Sequence, residues 1–130
     1  MNIILYVYPM QDLKQRTKKF AIDCIGLCRK IQYSPESKVI TNQLLRSSTA
    51  VAANYRAACR LKSRADFIAK ITTVEEEADE SQFWLELIQD ASIFIDKEVD
   101  RLQDEAGQLT AIFASSAKTA KANNTLRTKK

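Results

Sequence analysis

The sequence predicts an all-α protein, an antiparallel up-down four-helix bundle that assembles as a homo-oligomeric ring. Three observations carry the bundle; the ring is expected from a second apolar face, the charge pattern and the resemblance given below. Apolar residues recur at helical spacing along most of the chain, and the pattern breaks only at short stretches rich in cap residues. There are 2 glycines in 130 residues, where average usage of about 7% would place roughly nine, so a turn-rich β fold is disfavoured. The links between periodic segments are short, and short links join antiparallel neighbours. At 14.7 kDa the chain makes one domain, large enough to hide roughly two-thirds of its unfolded surface.

The first helix is expected over 12–32. Asp12-Leu13-Lys14-Gln15 reads as an N-cap with a Gln three residues on. Leu13, Thr17, Phe20, Cys24, Leu27 and Ile31 then form one stripe. Ser34-Pro35-Glu36 starts a second helix over 35–61, with proline in the first position and an acid in the first turn. Its stripe is Ile40, Leu44, Ser47, Val51, Asn54 and Ala58. Ser63-Arg64-Ala65-Asp66 is a capping box for a third helix over 64–91, whose stripe runs Phe67, Ile71, Val74, Ala78, Ser81, Leu85, Ile88. Asp96 caps a fourth helix over 96–120, with Val99, Leu102, Ala106, Leu109 and Phe113 inward. Before the bundle (12–119) lies an extended segment, 1–11, in which Ile3 to Tyr8 is strand-like and Pro9 blocks helix. Met10 is a second candidate translation start. After the bundle, 120–130 reads as a basic disordered tail.

Apolar side chains also lie off the main seams: Ile22 and Ile25 on the first helix, Ile68, Trp84 and Leu87 on the third. They are either a broad core-facing band or a second face; one short bundle does not hide two faces, so the favoured expectation is a face buried between copies of the chain.

Charge is segregated. Residues 11–64 hold 12 basic and 3 acidic side chains, 65–105 hold 3 and 13, and 106–130 hold 5 and none. The second helix has no acid from Val39 to Leu61 and carries Arg46, Arg56 and Arg60. The third carries Glu75, Glu76, Glu77, Asp79 and Glu80. With a hinge near Lys62, Arg46 is expected level with Asp79, and the segregation is expected to serve ion pairs of Arg46, Arg56 and Arg60 with the acid run, including Glu76 and Glu80, between helices or between subunits. Ser47 to Ala53 is a run of small residues that admits a close neighbour. Asn54 follows; on a seam it would fix register and oligomeric state, and exposed it would do neither. Nucleic-acid contacts, if made, are expected from Lys14, Lys18, Lys19, Lys118 and Lys121, to phosphates rather than bases. A short basic tail of this kind is more often only solubilising.

Several chemistries are excluded or weakened. With no histidine, the commonest general base, most zinc sites and the Glu-x-x-His pairs of di-iron bundles are missing. Two glycines build no phosphate cradle. Ser115-Ser116-Ala117-Lys118 matches a catalytic S-x-x-K without its companion motifs. Asn123-Asn124-Thr125 is a glycosylation pattern of no consequence in a cytosolic protein. Cys24, Cys28 and Cys59, an odd count, fit a reducing cytoplasm and a core-lining role. No enzymatic activity, metal, cofactor, membrane span or small-molecule substrate is expected.

The chain resembles the four-helix-bundle family of 23S rRNA intervening-sequence proteins. The resemblance is carried by Arg16 to Ala21, Gln43 to Ser48, Val51-Ala52-Ala53-Asn54-Tyr55-Arg56-Ala57-Ala58-Cys59-Arg60, Ser63 to Lys70, Glu76 to Glu80, Phe83 to Leu87, and Thr110 to Thr119. It departs at 2–9 and after Thr119. It implies homopentamers with a central channel, no enzymatic activity and no catalytic residues. Some members are encoded within insertions in large-subunit rRNA genes. A related branch, the accessory variability proteins of diversity-generating retroelements, binds a reverse transcriptase and nucleic acid. Two functions follow as expectations. One is an oligomeric interaction protein that binds RNA or a nucleic-acid enzyme. The other is a purely structural protein–protein assembly.

Overall fold

The computed structural model describes residues 10–128, which form four helices: α1 (Met10–Lys30), α2 (Pro35–Ala58), α3 (Arg64–Asp90) and α4 (Lys97–Thr128). No strand occurs among the described residues. The strand-like run 3–8 lies outside them, as do Lys129 and Lys130.

Local signals set most boundaries. Ser34 caps α2: its Oγ accepts the Ser37 N–H at 3.1 Å, and Ser37 Oγ accepts the Ser34 N–H at 2.8 Å. Pro35 takes the first helical position, where its missing N–H costs nothing. α3 forms half of its expected capping box, with Ser63 Oγ accepting the Asp66 N–H at 3.3 Å. Asp96 caps α4 by accepting the Glu98 N–H at 2.8 Å. α1 departs from the expectation, starting at Met10, so Asp12 sits inside the first turn and complements the helix dipole instead of capping.

α3 ends in a Schellman turn. The Ile93 N–H reaches the Ile88 carbonyl at 2.9 Å and the Ser92 N–H reaches that of Gln89 at 3.0 Å. Ser92 there has φ 55°, the left-handed region that favours glycine. Ser92→Gly is expected to stabilise the protein by about 1 kcal/mol. An unchanged or lower denaturant midpoint would refute this.

α4 outruns the expected bundle. The sequence assigns 120–130 to a disordered tail, whereas the helix continues to Thr128. The inward seam does not stop at Phe113: Ala117 and Ala120 follow at helical spacing, at 4% and 0% exposure. Alanines carry a weak apolar signal in a sequence but strong helix propensity.

α1 packs on α2 and α4, and α3 packs on the same two, which leaves α1 and α3 at opposite corners. The core is built largely from the expected stripes, with Phe20, Leu27, Leu44, Val51, Ile71, Leu85, Leu102, Leu109 and Phe113 all buried; on α2 Tyr55, and not the expected Asn54, takes the fully buried place. Each such side chain contributes roughly 1.5–3 kcal/mol by leaving water. Two buried serines meet across α2 and α3, Ser81 Oγ donating to Ser47 Oγ at 2.9 Å. Their small size lets the two helices approach.

The expected second apolar face is smaller than the sequence predicts. Ile68 and Trp84 pack on the chain's own core, and Ile25 and Leu87 are half-buried. Ile22 stays 56% exposed, and Phe83, which periodicity did not single out, is 49% exposed.

Candidate nucleic-acid interface

The small residues of α2 shape a basic groove on the surface. Thr49, Ala52 and Ala53 face Ala21 of α1, and their short side chains leave the space between the helices unfilled. The result is a groove of about 710 Å³. Lys14 and Lys18 line one wall and Arg56 and Arg60 the other. On α1 the two cations are four residues apart, a rise of about 6 Å on the same face; Arg56 lies in the last turn of α2 and Arg60 two residues past its end. No carboxylate lines the groove. None of the four cations makes an ion pair among the described residues. Like charges four apart cost a helix about 0.2–0.5 kcal/mol per pair. The arrangement is thus suited to an anion with several charges spaced along its length. No aromatic ring lines it, so it has nothing on which to stack a base.

This regroups the expected site residues. Within the chain Arg56 and Arg60 do not join the acid run of α3; they line the groove on the α1 side with Lys14 and Lys18. Arg56 sits in the last turn of α2 and Arg60 just past its end. Arg46 does pair with the acid run, but not with Asp79: its Nη1 lies 3.0 Å from Glu77 Oε2, and its Nη2 bonds Glu80. Asp79 and Glu76 are exposed and make no ion pair among the described residues. One residue along a helix is a rotation of about 100°, which turns Asp79 out while Glu77 and Glu80 face α2. Asn54 spends its side chain on its own helix, Nδ2 donating to the Ala50 carbonyl at 2.9 Å. Lys19 pairs with Asp23 at 3.1 Å. Lys118 and Lys121 are exposed on α4, outside the groove.

Because the Arg46 side chain is 47% exposed, its pairs are expected to contribute about 0–1 kcal/mol. A double-mutant cycle of Arg46→Met with Glu77→Gln checks this. A coupling above about 2 kcal/mol would place the pair with buried ones.

Sequence reasoning missed the links that tie α1 to α4. Arg16 makes a forked contact to Glu105, at 2.8 Å and 2.7 Å, and Arg101 reaches Asp23 at 2.8 Å while also bonding Glu98. Burial alone would raise the Asp23 carboxyl, but the Arg101 and Lys19 hydrogen bonds outweigh it and hold the pKa below the usual value. The stability this group contributes is therefore present at neutral pH and is lost as pH falls through that lowered pKa. The signal was available in the acids at 96–105, which are opposite in sign to helix one.

The three thiols are poor nucleophiles. Burial pushes Cys24 and Cys59 up and Cys28 up to about 11, so all three stay protonated at neutral pH. No group of three or more metal-ligating side chains occurs among the described residues. No helix among the described residues is long and apolar enough to cross a membrane.

Residues 11–115 match the family described as 23S rRNA-intervening sequence protein. No curated protein matches the chain. A solved structure from Bacteroides thetaiotaomicron, a protein of unknown function from the S23 ribosomal protein family, is similar with a TM-score of 0.74 and 29% identity. The match covers 84% of this chain and 97% of that one.

Proposed function

The chain belongs to the 23S rRNA-intervening sequence protein family, and on that premise we propose that it is a non-enzymatic, homo-oligomeric interaction protein that holds the phosphate backbone of RNA in the groove between α1 and α2. The observation that carries this reading is the four unpaired cations, Lys14, Lys18, Arg56 and Arg60, around a groove with no carboxylate. Contacts of this kind bind phosphates and carry no base readout. The absence of histidine and the raised thiols support a role without catalysis. An antiparallel up-down course of the helices is part of the proposal. It is supported by the short connections 31–34, 59–63 and 91–96 and by the Arg16–Glu105 and Asp23–Arg101 links. So is assembly into a ring, of five copies by the family resemblance, in the cytoplasm.

The test is a titration of structured and single-stranded RNA at two salt concentrations. The proposal expects log K to fall by about 0.7 per phosphate neutralised for each unit of log salt, or roughly 3 for four contacts on a single strand. No binding at low salt removes the RNA role. The Lys118→Ala/Lys121→Ala variant tests the end of α4 separately. Truncation there is a poor test, because Ala120 is buried.

A purely structural assembly is the second reading. The exposed Ile22 and Phe83 favour it, and it expects no RNA binding at any salt.

A further inference from the structure

The outer faces of α1 and α3 are complementary. Both lie away from the core, at opposite corners of the molecule. On α1, Ile22 is 56% exposed in the middle of the face, with Lys18 one turn before it and Arg29 two turns after. On α3, Phe83 is 49% exposed, with Glu76 and Asp79 before it and Glu86 after it, all exposed. Each face is thus an apolar centre between charges, basic on one helix and acidic on the other. Phe83 is also held in place: Trp84 meets it edge-on, ring centres 5.0 Å apart.

A third observation concerns Gly26, one turn past Ile22. Glycine inside a helix is destabilising relative to alanine. Nothing within the chain explains it here, since a Cβ at Gly26 would meet no atom within 4 Å. By contrast, one at Gly107 would press on Gln82 at 3.0 Å. Gly26 thus leaves open space on the outer face, beside Ile22.

We infer that a second copy of this chain docks its α3 outer face on the α1 outer face, Phe83 entering the open space at Gly26 beside Ile22, with the acids of α3 against Arg29 and Lys18 left to the groove. The inference rests on the homo-oligomeric reading above and names its surfaces. The two surfaces differ, so each copy offers one and takes the other. Such head-to-tail contacts propagate to a closed ring, or to an open chain if the rotation does not close. The charge pattern orients the approach and the apolar centre supplies the contact.

The test uses light scattering and sedimentation of the full chain. Wild type is expected as an assembly several times 14.7 kDa. Gly26→Leu, which fills that space, and Phe83→Ser, which removes the insert, are each expected to weaken assembly at least tenfold. Thermal midpoints of the dissociated chains guard against misfolding. Gly26→Ala is a further guard: it is expected to raise the midpoint of the monomer while weakening assembly. The decisive arm mixes the two defective variants. Each keeps one intact surface, so the mixture is expected to form a 1:1 pair of twice the chain mass and nothing larger. A wild type that assembles while both variants keep its mass would overturn this inference and leave the oligomeric reading standing. A monomeric wild type would overturn both. A mixture that stays monomeric would show that the two surfaces do not meet.

Discussion

Phe113→Ala is expected to cost about 3–5 kcal/mol, the range for removing a buried aromatic side chain and leaving a cavity. Phe113 is fully buried in α4, and its ring centre lies 5.2 Å from that of Tyr55 on α2, at an interplanar angle of 44°. The pair joins two helices with no direct neighbour contact of their own among the main packing pairs, so its loss is felt across the core. Domains are stable by only about 5–15 kcal/mol, so this one change removes a large share. The thermal midpoint should fall by roughly 10–25 °C for a chain of this size. Tyr55→Phe is the informative companion. The Tyr55 hydroxyl is buried without a hydrogen-bond partner of good geometry, with the Cys59 thiol beside it. Sulfur is a weak partner. Removing that hydroxyl is expected to change stability by less than about 1 kcal/mol, or to raise it. A Phe113→Ala midpoint within a few degrees of wild type would mean that the core is not packed around this pair.

The second large effect concerns the groove. Lys18→Ala with Arg56→Ala removes one cation from each wall. With about 0.7 decade per contact at 0.1 M salt, the pair should weaken single-strand RNA binding roughly 25-fold, near 2 kcal/mol. The salt slope should halve at the same time, because two of four contacts are gone. Both residues are exposed, so the thermal midpoint should hardly move. Lys30→Ala with Lys38→Ala changes net charge equally at exposed positions outside the groove. It should leave the slope nearly intact. Equal losses for the two double variants would show diffuse attraction to a basic surface and would dismiss the groove as the site.

Local signals made the four helices legible in advance. Period, caps and breakers act within a few residues, so Ser34-Pro35, Ser63 and Asp96 mark starts that the structure keeps. The end of α4 was less legible because Ala117 and Ala120 resemble surface residues in sequence and core residues in place. The candidate site was half legible. Lys14 and Lys18 were expected to meet an anion, whereas Arg56 and Arg60 were expected to meet the acids of helix three.

The sequence by itself determined the number of helices, the segregation of charge and the chemistries that no histidine and few glycines leave out. Only the tertiary structure decided which charges face one another. It set Arg46 against Glu77 and Glu80 instead of Asp79, and it brought Arg56 and Arg60 to Lys14 and Lys18 across a groove floored by alanines. The reason is geometric. Helical periodicity states which residues share a face, but the rotation of each helix about its axis is set by how side chains on neighbouring helices interlock. A rotation of one residue, about 100°, exchanges an ion pair for an exposed carboxylate.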